Sequence, residues 1–359
     1  MTSIAPDGPP RKVIIGVDTH KHIHVAVAID HHGARLGDLA VSADTGGYAQ
    51  LENWARALGR VDKFGIEGTG SYGAGLSSYL RRCGHRIVEV NRGDRRSRRQ
   101  NGKSDTLDAE AAARSVLAGT ATSIPKTADG LAEMIRQVKI ARDTARKGRT
   151  SAIITLKQIV VNAPAELRES VDGLPDKALI DRCAGYRLRA MTTTSDSAKH
   201  SLRALARRWL DLDAEIRAHD SVLDDLTAQA SPTLRDGYGI GPDCAAEILI
   251  VFGDNPDRIR SEAAFAKLCG TCPIPASSGL TNKHRLYRGG HRQANAALYR
   301  TVIVRMRFHQ PTIDYVARRT AEGLTKKDII RCLKRFLARE VYQRVMTDHR
   351  ARQGLEPAA

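Results

Sequence analysis

The run Val13-Ile14-Ile15-Gly16-Val17 has no polar interruption, which is the pattern of a strand covered on both faces, and it ends on Asp18. Residues 24–29 (HVAVAI) alternate, Asp30-His31-His32-Gly33 reads as a turn, and a third short strand is predicted near 36–42. These three form a meander. Thr45 is expected to cap a helix running to about Leu58, with Leu51, Trp54, Ala55 and Leu58 on one face. A strand over 63–67 ends on Glu67. A helix over 72–82 and a strand over 86–90 (RIVEV) follow.

The resulting order, βββαβαβ, is that of an α/β ribonuclease-H-like fold. In it Asp18 falls on the first strand and Glu67 at the end of the fourth. Asp105 and Asp108 begin an Ala-rich helix, where positions i and i+3 share a face. Each acid alone has an ordinary reading, as a strand-end turn residue, a solvated side chain, or a first-turn charge favoured by the helix dipole. Together on this strand order they point elsewhere. Like charges gathered in one place cost energy unless a cation intervenes. Carboxylate oxygens suit a hard divalent ion, and ions so held act on phosphodiesters.

Residues 128–160 lack Pro and read as a helix. Over 202–226 an apolar seam repeats in steps of three and four: Leu202, Leu205, Trp209, Leu212, Ile216, His219, Leu223 and Leu226. An amphipathic helix lying on a core would show similar spacing. The persistence of the steps favours a coiled coil between subunits. Between these helices, residues 163–195 are punctuated by Pro and Gly and read as a poorly ordered excursion. Tyr238-Gly239-Ile240-Gly241-Pro242 precedes an apolar helix, Cys244 to Phe252. It resembles a helix-hairpin-helix turn, whose backbone N–H groups can hold a phosphate, and reads equally as a Gly-rich helix entry. Helices to about Val345 complete a mainly α C-terminal part.

Charge adds a partner. The 359 residues carry a formal net charge of +17, which suits a polyanion, most commonly nucleic acid. The charge is uneven: from Ala263 to Pro311 there is no Asp or Glu but eight Lys or Arg. Candidate nucleic-acid contacts are Arg92, Arg95, Arg96, Arg98, Arg99 and Lys103, then Lys283, Arg285, Arg288 and Arg292. With aromatics at 4%, base stacking is not expected to be the main mode of binding. No apolar run has membrane-spanning length and the N-terminus lacks a signal-peptide core, so a cytoplasmic protein is expected. The six cysteines are scattered. Cys269 and Cys272 form a CxxC to which Cys244, His284 or His291 would have to add zinc ligands, and buried or incidental thiols are the favoured reading.

Ser278 lies between Ser277 and Gly279, close to Lys283, Arg285, Arg288 and Arg292. On composition alone it reads as a turn serine. Its cationic neighbours would also stabilise a serine attacking phosphate.

The chain resembles the DEDD transposases of the Piv-invertase / insertion-sequence-one-ten family. The resemblance rests on Gly16-Val17-Asp18-Thr19-His20-Lys21, Ile66-Glu67-Gly68-Thr69-Gly70-Ser71-Tyr72, Glu89-Val90-Asn91-Arg92 and Gly102 to Ala113. It continues through Gly239-Ile240-Gly241-Pro242, Gly270-Thr271-Cys272-Pro273 and Ser277-Ser278-Gly279. It implies a RuvC-like nuclease domain over 11–125, a helical coiled-coil region for dimerisation over 126–230, and a C-terminal transposase domain with a catalytic serine over 231–350. It further implies that Asp18, Glu67, Asp105 and Asp108 hold Mg²⁺ and that Ser278 attacks the DNA phosphate, with Ser277 one residue away. The implied partners are donor and target double-stranded DNA, a guide RNA from the element's own non-coding end, and further copies of the chain as a dimer or tetramer. Two rivals stand beside this reading. One is a RuvC-like junction resolvase that uses water and the acids alone. The other is a nucleic-acid-binding protein without catalysis.

Overall fold

The computed structural model describes residues 11–91, 104–280 and 284–354. The candidate contacts Arg92, Arg95, Arg96, Arg98, Arg99, Lys103 and Lys283 lie outside them. The chain forms two compact units, Met1–Thr127 and Ala128–Ala359.

The first unit is built on a five-stranded mixed sheet in the order β3-β2-β1-β4-β5. Strands β1 (Lys12–Thr19), β2 (Ile23–Asp30) and β3 (Arg35–Ser42) form the antiparallel meander. Strand β4 (Arg60–Glu67) runs parallel to β1, and β5 (Ile87–Val90) parallel to β4. Helix α1 (Thr45–Leu58) precedes β4, α2 (Ala74–Arg82) precedes β5, and α3 (Asp105–Leu117) follows. This mixed sheet and element order are compatible with a ribonuclease-H-like fold. Helix α1 is capped one residue earlier than expected. Asp44 accepts a hydrogen bond from the Gly47 amide at 2.9 Å and Thr45 is the first helical residue. Both residue types suit a cap, and Asp44 holds the extended backbone the position needs.

The uninterrupted apolar run in β1 has a direct cause. Val13, Ile15 and Val17 pack with Leu51, Ala55, Leu76 and Leu80 of α1 and α2 on one face. Ile14 packs with Ala109, Ala112, Ala113 and Val116 of α3 on the other. Since strand side chains alternate faces, a central strand covered on both sides has no position for a polar residue until its end.

The second unit is helical. Helix α4 (Leu131–Asn162) pairs with a later helix, which we number α7 (Thr194–Ala230) after the short helices α5 (Ala165–Glu169) and α6 (Asp176–Ala184). Ile135 shares a cluster with Leu223 and Ala230, Arg149 pairs with Asp213, and Leu156 clusters with Leu202 and Ala206, so the two helices run antiparallel. The seam expected to join subunits therefore faces a helix of its own chain. Leu202, Leu205 and Trp209 pack at one end, Leu223 and Leu226 at the other, and Leu212 lies against Gly148.

The excursion expected over 163–195 is ordered, contrary to the sequence reading. Leu167, Val171, Leu179, Ile180 and Cys183 are buried against Leu156, Leu202 and Ala206, closing the tip of the helix pair. Pro164 and Pro175 sit at the N-cap positions of α5 and α6, where proline starts helices instead of breaking them.

Helices α8 (Pro232–Arg235), α9 (Pro242–Phe252), α10 (Glu262–Leu268), α11 (Arg292–Phe308), α12 (Gln310–Ala321) and α13 (Lys326–Arg352) surround the root of the pair. The last helix thus runs beyond the expected Val345. Phe252 stacks on Phe265 at 4.5 Å in this core. A two-stranded antiparallel hairpin, β6 (Pro273–Pro275) and β7 (His284–Leu286), stands beside α10 in sequence. Among the described residues no helix is long and apolar enough to cross a membrane.

Candidate active site

The alternation that buries β1 also aims its last acid. Ile14 and Gly16 face α3, so Asp18, two residues on, leaves the sheet on that side. On β4, Gly65 faces Val116 of α3 and Glu67 follows it by two. Gly16 and Gly65 are direct neighbours in the parallel register of β1 and β4. Neither has room for a side chain. A Cβ at Gly16 would come within 2.0 Å of the Ala109 carbonyl oxygen, and one at Gly65 within 2.6 Å of Val116 Cγ2. Paired glycines on the sheet and alanines on the helix let α3 lie close against the strand ends.

Ser104 caps α3, its hydroxyl accepting from the Leu107 amide at 3.2 Å, and Asp105 and Asp108 occupy the first turn. The start of α3 thereby comes to Asp18. His20 Nε2 stands 3.3 Å from a carboxylate oxygen of Asp18 and 3.4 Å from one of Asp105. The Thr19 hydroxyl donates to the Glu67 carbonyl at 2.8 Å, tying the ends of β1 and β4 together.

Asp18 is buried at 8% exposure. Burial pushes its carboxyl pKa up. His20 opposes that, and the negative charges of Glu67, Asp108 and Asp105 reinforce it. The other three predicted acids thus each lie near enough to act on Asp18. Ligand atoms of Asp18, His20 and Asp105 lie within 4.8 Å of one another, close enough to share one ion. A carboxylate-rich set fits a hard divalent cation.

His20 was not singled out as a site residue. Its signal was its position two residues after Asp18, on the same side of the chain. Gly16 and Gly65 were missed as site-forming residues as well. Their signal was a glycine inside an otherwise bulky strand, which often marks close approach of another backbone.

The second unit carries Ser278, exposed in the connection from β6 to β7. Gly279 after it takes a left-handed φ of 53°, which turns the chain. Arg285 on β7, Arg288, and Arg292 at the start of α11 are exposed near it in sequence.

The Gly239–Pro242 turn differs from an open phosphate cradle. Asp243 in the first turn of α9 pairs with Lys139 at 3.1 Å and with Arg142 and Arg300 at 2.8 Å each. The positive end of this helix is thereby answered by the chain's own carboxylate. Burial works against that carboxylate, yet the surrounding cations, Lys139 foremost, hold its pKa below the usual range. Cys269 is fully buried, and burial pushes its thiol up to about 12. Of the CxxC pair, Cys269 is buried and Cys272 only partly so.

The family model of the IS110-type DEDD transposases matches residues 15–163, and that of the transposase IS116/IS110/IS902 family matches residues 232–317. The chain belongs to the IS110 family of transposases. The transposase is thus an enzyme acting on DNA, and the acid cluster and the Ser278 hairpin each fall within one of the matched regions or its span. No curated protein matches the chain.

Proposed function

We propose that this transposase is an RNA-guided DNA recombinase that cuts and rejoins strands through a phosphoserine link. The observation that supports the reading is the approach of Asp105, at the start of α3, to Asp18 at the end of β1, with the charges of Glu67 and Asp108 near enough to act on Asp18. These acids would hold Mg²⁺, which when bound polarises the scissile phosphate and balances its developing charge. Ser278 Oγ attacks phosphorus. The O–P bond to the strand end breaks, and that oxygen leaves with a proton as a free hydroxyl. Arg285, Arg288 and Arg292 stabilise the charge on the phosphate oxygens. A hydroxyl of the partner strand then attacks the phosphoserine, releasing the serine hydroxyl and joining the strands. One phosphate ester replaces another at each step, so no ATP is consumed.

The acids belong to one compact unit and the serine to the other, which is consistent with an active site completed by a second copy in a dimer or tetramer. The helical seam is already covered within one chain, so other surfaces would join the copies. The basic surplus suits donor and target DNA together with a structured guide RNA from the element. The domain limits 11–125, 126–230 and 231–350 are retained as functional divisions, the last two sharing one compact unit.

A nicked DNA substrate that prevents rejoining tests the mechanism. A protein–DNA adduct should accumulate, survive denaturation and map to Ser278. Ser278→Ala should abolish it, and Ser277→Ala should not. Strand cutting without an adduct would make water the nucleophile and favour a junction-resolving endonuclease.

A further inference from the structure

A cavity of about 540 Å³ opens between the β6–β7 hairpin and α13. This is within the range of small-ligand sites, roughly 300–1,000 Å³. Its walls are of two kinds. Leu286 and Phe336 are apolar and well exposed, at 44% and 49%, and Phe336 is held edge-on by Tyr315 with ring centres 5.7 Å apart.

The other wall is cationic. Lys334 is only 7% exposed, yet its ammonium donates to one neutral acceptor, Asn295 Oδ1 at 3.0 Å. Among the described residues it forms no ion pair, and burial, followed by the nearby charge of Arg331, pushes its pKa down. Arg335 Nη1 is buried with no hydrogen-bond partner among the described residues. The acid lining the cavity, Asp328, is engaged by Arg331 at 2.8 Å and by the Thr325 hydroxyl at 2.6 Å. Two cationic groups held away from water beside an apolar floor suit an anion joined to a flat, apolar body.

We propose that this cavity receives one unpaired nucleotide of the DNA strand, its phosphate at Lys334 and Arg335 and its base against Phe336 and Leu286. A base within a duplex cannot enter such a site, so the nucleotide must be unstacked first. The β7 strand that lines the cavity belongs to the hairpin whose connection carries Ser278, so a nucleotide held there fixes the strand beside that serine. The inference deepens the proposed function, but it needs only the family's DNA substrate and stands whether or not Ser278 is the nucleophile.

The test uses full-length protein with Ser278→Ala, so that cutting does not enter the readout. The probe is a single-stranded thymidine decamer with one central 2-aminopurine. Binding should quench the 2-aminopurine, as stacking on an aromatic ring does. Phe336→Ala should abolish the quenching and weaken binding by about tenfold, the scale of one lost base stack. Lys334→Met should weaken binding and lower its salt slope by about one unit, one phosphate contact. Arg335→Gln, at a less buried position, serves if Lys334→Met fails to fold. Binding without quenching, quenching that survives Phe336→Ala, or equal competition by the matching duplex would each overturn the assignment. An RNA decamer binding tenfold tighter would overturn the choice of DNA.

Discussion

One added methyl group at Gly16 should disable the acid cluster while leaving the chain folded. The new Cβ of Gly16→Ala would sit 2.0 Å from the Ala109 carbonyl oxygen, 2.4 Å from the Ala113 nitrogen and 2.9 Å from the Ala113 Cβ. Two of these are backbone atoms of α3, so no side-chain rotation relieves them. Ordinary contact needs about 3.4 Å, so α3 must retreat by about 1.4 Å. Overpacking of this kind costs about 1–3 kcal/mol, against the roughly 5–15 kcal/mol that keeps a domain folded. The helix that moves carries Asp105 and Asp108 at its first turn. A misplacement near 1 Å can cost about 100-fold in rate, and metal ligands tolerate only about 0.2 Å. Gly16→Ala should therefore melt as a folded protein, bind Mg²⁺ weakly by calorimetry and lose at least about 100-fold in Mg²⁺-dependent strand cleavage. Gly65→Ala should fall between it and the parent, because its worst contact is the rotatable Val116 Cγ2 at 2.6 Å. Parental cleavage by folded Gly16→Ala would refute the claim that close packing of α3 assembles the site.

Asp18 carries a raised carboxyl pKa in the metal-free protein, so its ionisation opposes folding, and the stability tied to its neutral form is lost as pH rises from the unfolded value through the folded one. In chelator, Asp18→Asn should melt higher than the parent, by a margin that grows with pH over that window, and should not cleave; a margin that shrinks with rising pH would contradict the shift. Ile216 is 4% exposed within the helix pair, so Ile216→Ala should cost roughly 2–5 kcal/mol in urea unfolding and leave the oligomeric state by light scattering unchanged. A smaller folded species would return the seam to the subunit interface.

Much of the first unit was legible because strand periodicity is local. An apolar run ending on Asp18, a second ending on Glu67, and two acids three apart on a helix are all visible without knowing what packs where. The bringing together of these parts was not. It depends on Gly16 and Gly65, whose meaning is the absence of a side chain, and on a register that places them side by side. The seam over 202–226 shows the same limit. Its spacing announces a face that must be covered, and α4 of the same chain satisfies it as well as a second subunit would. In 163–195 Pro and Gly suggest an interrupted chain, although Pro164 and Pro175 stand at N-cap positions where helices begin. His20 has only its place two residues after Asp18 to mark it, and nothing in that spacing says that Asp105 comes to its other side.

The antiparallel pair of α4 and α7 has a consequence in length. At 1.5 Å per residue the 32 residues of α4 extend about 48 Å. One apolar cluster secures the root and another the tip, with the Arg149–Asp213 pair between them. The pair is thus a stiff ruler with a separately anchored end. Contacts made on a straight duplex at its two extremes would stand roughly fourteen base pairs apart, at about 3.4 Å each. Shortening both helices by whole turns would reset that interval in steps of about 5.4 Å without touching either cluster.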